Sequence, residues 1–204
     1  MRDSMGSEAM KVAIGFKAHS GWAAAVAVGL QDERPHLVDR QRLALVDSRN
    51  ATWARQPYHA AEGMTPSRAD ALVQRGIAAA RKASASCVDR WVQQLREAGH
   101  DIAGGTVLTG PPMPTWTTAQ ILAVHIRMHQ AEGKLFPDAL AAAVAACGLP
   151  LGLIPERALD QLEPEACPWA DDIAMLGKWA GPPWGADQKH AAMAALVLFG
   201  ARLH

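Results

Sequence analysis

Tyrosine is nearly missing from this chain: Tyr58 stands alone beside three phenylalanines in 204 residues. Cysteine is as scarce. Cys87, Cys147 and Cys167 are far apart, odd in number and form no C-x-x-C pair, which favours neither a disulfide framework nor a thiolate zinc site. Neither sign of charge is in excess, since 20 Lys and Arg meet 20 Asp and Glu. That argues against nucleic-acid binding through bulk positive charge, which rests on neutralising phosphates. No uninterrupted apolar run approaches the roughly 20 residues of a membrane span, so no membrane partner is expected. The start MRDSMGSEAMKVAIG lacks the apolar stretch of a signal peptide, and with the cysteine usage this gives a cytoplasmic expectation. No P-loop, dinucleotide fingerprint or G-x-S-x-G occurs.

What is present is enough apolar sequence, half the residues, to fill a sizeable core, and seven tryptophans. With no internal repeat and no low-complexity linker, residues 11–204 read as one domain behind a disordered tail over 1–10. Charge is uneven along the chain. The first hundred residues carry a net +4, with Arg34, Arg40, Arg42, Arg49 and Arg55 prominent, and the remainder −4, gathered over Glu156 to Asp172.

Periodicity divides the chain into elements. Lys11 to Gly15, Trp22 to Leu30 and His36 to Val46 read as strands joined by turns short enough for antiparallel hairpins. Asp47 to Met64 has no period and reads as a long loop. Thr65-Pro66 is a hydroxyl cap followed by proline at the first helical position, and apolar spacing from Leu72 to Leu95 continues as a helix, with a bend allowed at Ser84 and Ser86. Gly104 to Gly110 is a fourth strand. A helix follows from near Thr115, interrupted at Gly133 and Pro137, and a second helical stretch ends at Gly148. Leu151 to Ile154 is a fifth strand, Glu156 to Gly185 is irregular, and Asp187 to Leu203 is a last helix.

The order β-β-β-α-β-α-β-α implies an α/β fold: a mixed five-stranded sheet, three antiparallel strands then βαβα, with helices on both faces. His36 to Val46 and Lys11 to Gly15 should flank Trp22 to Leu30 antiparallel, with Gly104 to Gly110 parallel to Lys11 to Gly15. This order resembles ribonuclease H-like domains. Within them, Ile14-Gly15-Phe16-Lys17-Ala18-His19-Ser20-Gly21-Trp22-Ala23 is similar to the first hairpin of RuvC-type Holliday-junction resolvases. Met128-His129-Gln130-Ala131-Glu132-Gly133, running on to Cys147-Gly148-Leu149-Pro150-Leu151, is similar to their G-Q-A-x-G helix and the G-L-P before the fifth strand. Ala186-Asp187-Gln188-Lys189-His190-Ala191-Ala192 is similar to their last helix. The resemblance implies a nuclease ancestry in which carboxylates of the first strand, fourth strand and last helix hold two Mg²⁺ ions. Here Lys17 stands at the first position and Thr109 or Gly110 at the second, leaving Asp187 and His190 as the remaining catalytic-type pair. One carboxylate and one imidazole do not hold two hard cations. The resemblance therefore implies a degenerate nuclease site and a binding or structural module, with nucleic acid as the candidate partner.

Three further groups carry candidate chemistry. His125, His129 and Glu132, at i, i+4 and i+7, share one helical face and form a candidate divalent-metal set. The alternative is a core histidine beside a helix-end pair. Lys17, His19 and Ser20 in the first turn, and Arg55, Tyr58 and His59 in the long loop, are candidate ligand-binding groups for a phosphate or a base. Trp169, Trp179 and Trp184, in acidic surroundings that repel phosphate, suit core packing or a homodimer interface. The runner-up function is a metal-dependent hydrolase or nuclease with a site rebuilt from His125, His129, Glu132, Asp187 and His190.

Overall fold

Two hairpins and two helical crossovers build the sheet of this computed structural model, which describes residues 9–47, 51–160 and 169–200. β1 (Lys11–His19) and β2 (Trp22–Gln31) pair antiparallel from Val12↔Gly29 to His19↔Trp22. Their two-residue turn closes because Gly21 takes a φ of 89°, open to glycine at no steric cost. β3 (Arg34–Ala44) follows a turn in which Asp32 and Glu33 both have positive φ, the type I′ geometry whose twist matches flanking strands. The 32-residue α3 (Pro66–Glu97) then recrosses the sheet, so β4 (Asp101–Thr109) lies parallel to β1. α5 (His125–Ala146) does the same for β5 (Leu151–Pro155), parallel to β4. The strand order is β3-β2-β1-β4-β5. This is the mixed five-stranded arrangement, three antiparallel strands and then βαβα, expected from the sequence.

The period-two alternation of strands decides what each face packs against. Val12, Ile14 and Phe16 point into a core shared with α3 and α5, where Trp91 meets Phe16 edge-on at 5.8 Å. Trp91 also donates its indole N–H to Asp39 Oδ2 at 2.6 Å, fixing α3 to β3. On the opposite face Ala13, Val26 and Val28 pack against α7 (Ala170–Ala180) and α8 (Ala186–Leu196). The approach there is close: a Cβ on Gly15 would sit 1.9 Å from the Ala191 carbonyl oxygen, so only glycine lets α8 lie on β1.

Several local expectations are corrected. The segment Asp47 to Met64 is not one loop; it holds two short helices, α1 (Ala51–Arg55) and α2 (Pro57–Ala60), while residues 48–50 lie outside the described ones. Tertiary burial of Ala54, Pro57 and Tyr58 supplies what amphipathic period does not. α3 is unbroken through Ser84 and Ser86, with Ser84 buried. Gly133 and Pro137 do not interrupt α5, which is continuous over 22 residues. Leu135, Phe136 and Leu140 are buried around Pro137, and at roughly 1.5–3 kcal/mol each they outweigh a proline penalty of about 3 kcal/mol. The helix expected from Thr115 is instead α4 (Thr118–Leu122), opened by a reciprocal Thr117–Gln120 capping box, and the chain breaks before His125 starts α5. Glu156 to Gly185 is not wholly irregular: it contains α6 (Glu156–Asp160) and α7. α8 ends at Leu196, followed by a 3₁₀ turn over Val197–Phe199, short of the expected Leu203. Residues 1–8 of the expected tail, Cys167 and residues 201–204 lie outside the described residues.

Of the three late tryptophans, Trp184 covers Gly177 and donates to the Ile173 carbonyl at 3.0 Å, and Trp169 donates to the Glu33 carbonyl at 3.0 Å. Both hold α7 in place. Trp179 is 86% exposed. Among the described residues no helix is long and apolar enough to cross a membrane.

Candidate metal centre

Two helices bring three imidazoles together. His125 opens α5 and His129 follows one turn later on the same face. Both rings are exposed, and their Nε2 atoms are 3.1 Å apart. The third ring comes from α2. Pro57 sits at its first turn and seats against α3 at Gly76, where a Cβ would lie 2.6 Å from the proline Cβ. Tyr58 is buried beside it. These two anchors leave His59 facing α5, with its ring centroid 5.3 Å from that of His125 and 4.7 Å from that of His129. One ring nitrogen from each histidine lies within 4.8 Å of the others.

Glu132 stands behind this triad. Only 6% exposed, it accepts the backbone N–H of His59 at 3.1 Å with one carboxylate oxygen, and its other oxygen is 2.7 Å from His59 Nδ1. With Nδ1 committed to the carboxylate, Nε2 is the ring atom that remains for a ligand. A carboxylate behind a histidine in this way fixes ring orientation and tautomer at metal sites. The separation of His125 and His129 also suits an ion. Tetrahedral Zn–N bonds of about 2.0–2.1 Å place neighbouring nitrogens roughly 3.3–3.4 Å apart. Thus Glu132, which spacing groups with His125 and His129, contacts His59, and His59 completes the set.

The expected two-metal position at the end of β1 is built differently. Lys17 Nζ contacts Glu156 Oε1, and His190 Nδ1 lies 3.4 Å from the same oxygen. His19 Nε2 is 3.0 Å from Asp187 Oδ1, within ion-pair range though not aligned as a hydrogen bond. The His19 ring stacks on Trp22 at 4.3 Å, and the Arg42 guanidinium lies 3.4 Å over Trp22. Each carboxylate here already faces a basic side chain. Among the described residues, the three histidines alone form a group of His, Cys, Asp or Glu compact enough to hold an ion.

The remaining candidates are distributed around these two clusters. Ser20 and His19 share with Glu132 a small cavity of about 190 Å³, so the two clusters are neighbours. Arg55 is exposed, with its side chain beside the Gly21 turn. Burial holds the Tyr58 phenol above its usual pKa, with Glu132, Asp138 and Asp70 adding to the effect. Thr109 and Gly110, at the carboxyl end of β4, line a larger cavity that also touches His129. Glu156 was not among the residues singled out for chemistry. Its signal is its place directly after β5, at the carboxyl edge of the sheet where open α/β folds bind ligands.

No family model matches the chain, and no curated protein matches it. Among solved structures it is similar to T. thermophilus RuvC in complex with a Holliday junction substrate, at 12% identity and a TM-score of 0.47 over 94% of each chain. That similarity assigns no residue role.

Proposed function

We propose that the chain is a metal-dependent hydrolase in which His59, His125 and His129 hold a single zinc-class ion. The observation that carries this reading is the convergence of three ring nitrogens within 4.8 Å with Glu132 hydrogen-bonded behind one of them. Three neutral nitrogen ligands suit a borderline ion better than Mg²⁺, which prefers oxygen. Catalytic zinc sites keep three protein ligands and one open position, and an ion with no anionic ligand retains its full charge to acidify water there. His125 and His129 are exposed, so solvent reaches the cluster, and His129 also lines a cavity. In hydrolysis a water oxygen bonds to the acyl carbon or phosphorus, the ester bond to the leaving oxygen breaks, and that oxygen takes a proton. The test is hydrolysis of nitrophenyl esters by full chain carrying stoichiometric zinc, against chain stripped with chelator. Activity that follows zinc and disappears in His59→Ala supports the reading; activity unchanged by stripping overturns it.

The nuclease chemistry of a two-metal site is not part of this proposal, because Lys17 occupies the end of β1 and faces Glu156. A second reading, a non-catalytic binding module, is favoured by that same ion pair. It predicts no metal-dependent turnover and salt-dependent nucleic-acid binding instead.

A further inference from the structure

A cavity of about 650 Å³ opens between the carboxyl ends of β4 and β5 and the outer face of α5, with His129 on one wall. That size falls within the range of small-molecule sites. Its walls are mostly apolar: Pro111 and Met113 from the loop after β4, Pro137 from α5, and Leu153 and Pro155 from β5. Its charged lining residues are Lys134, Asp138 and Arg157. Lys134 is neutralised by Asp138, which also lines the cavity, through a contact of 2.5 Å. Arg157 is exposed on α6 and carries no ion pair among the described residues. The lining thus offers an apolar trough, the Arg157 guanidinium and one imidazole of the histidine cluster.

We propose that this cavity binds an anionic amphiphile, an ester or amide with an apolar body and one carboxylate or phosphate, whose anionic group pairs with Arg157 while its scissile bond faces the histidine centre. This deepens the hydrolase reading and rests on it for the chemistry, but not for the binding. Three physical terms converge. Burying an apolar body stabilises the complex by roughly 25 cal/mol per Å² removed from water. A guanidinium offers a planar fork that matches carboxylate and phosphate oxygens. An ion held by three neutral imidazoles leaves a double positive charge beside the cavity, which further favours an anionic ligand over a neutral or cationic one.

The experiment is calorimetric titration of the full chain with octanoate, octyl phosphate and 1-octanol, with zinc loaded and with zinc stripped. Saturable binding of at least one of the two anions to the stripped chain is expected, with 1-octanol at least tenfold weaker, and zinc should tighten it. The carboxylate and phosphate arms separate the two head groups. Arg157→Ala should weaken the anion at least tenfold and leave 1-octanol unchanged, and Arg157→Lys should restore part of the loss. Leu153→Ser should weaken anion and alcohol alike. No saturable binding of either anion, equal binding of 1-octanol, or an Arg157→Ala variant that binds as well as the parent each overturns the inference. Its failure is distinct from failure of the hydrolase reading: a chain that takes up zinc but no amphiphile sinks only this inference, and a chain that binds amphiphile but takes up no zinc when zinc is supplied sinks only the other.

Discussion

Replacing Glu132 with glutamine tests whether the carboxylate sets the tautomer of His59. One carboxylate oxygen accepts the His59 backbone N–H at 3.1 Å, and the other lies 2.7 Å from Nδ1, where an ionised carboxylate favours the tautomer protonated at that atom. An amide has one accepting oxygen and one donating nitrogen. In Glu132→Gln the oxygen keeps the backbone N–H, and the amide N–H turns to Nδ1. Nδ1 must then accept, so the ring proton moves to Nε2, the atom left for the ion. Loss of such a carboxylate partner costs about 10–100-fold in metal affinity, or roughly 1.4–2.7 kcal/mol. The fold should persist, since side-chain volume hardly changes, the backbone hydrogen bond remains and the other only reverses direction. The assay is competition for Zn²⁺ against a chromophoric chelator, with thermal melting as the control for folding. A Glu132→Gln variant that melts like the parent and binds zinc equally tightly refutes the tautomer argument. Glu132→Asp should weaken binding less than Gln does, because it keeps two accepting oxygens.

Gly15→Ala should destabilise by about 1–3 kcal/mol or more, the cost of overpacking, because the new Cβ meets the backbone of Ala191 and Ala195 and α8 must move. At roughly 2–4 °C per kcal/mol for a chain of this size, the melting temperature should fall by several degrees; an unchanged melt contradicts the close approach of α8 and β1. With Mg²⁺ alone the protein should not cleave branched or hybrid nucleic acid at turnover on the order of 1 s⁻¹. Glu156 and Asp187 at the end of β1 already face Lys17 and His19, so neither carboxylate is left free for a divalent ion, and Mg²⁺-dependent cutting abolished by Asp187→Asn would refute this. Burial raises the Cys87 thiol pKa, so in a Cys147→Ser, Cys167→Ser background it should react slowly with a disulfide reagent at neutral pH. The sign for stability follows: the unfolded thiol ionises first, so stability is intact below the unfolded pKa and declines as pH rises from there through the higher folded value.

The sheet was legible because its signals are local. WAAAVAVGL is apolar on both faces, as a strand covered by helices must be, and Thr65-Pro66 marks the start of α3 by cap chemistry alone. α1 and α2 were illegible because five- and four-residue helices have no period to read; they exist through what they touch, Pro57 in the notch at Gly76 and Tyr58 in the core. The site divides along the same line. His125 and His129 meet across one helical turn, a distance that sequence spacing encodes. His59 lies 66 positions before His125, and only the crossover through α3 brings it near, so the third imidazole and the role of Glu132 follow from tertiary structure. Likewise Lys17 and Glu156 meet because β1 and β5 end at the same edge of the sheet, which no motif records.

Metal content tests the central claim most directly. Full chain without an affinity tag, dialysed against trace Zn²⁺ and then against metal-free buffer, should retain about one ion per chain by mass spectrometry. His59→Ala, His125→Ala and His129→Ala should each lose most of it. A bound ion at about a hundredfold excess over its dissociation constant should also add roughly 2.7 kcal/mol to folding stability. Zinc that fails to bind, or binds as tightly to all three variants as to the parent chain, contradicts the account.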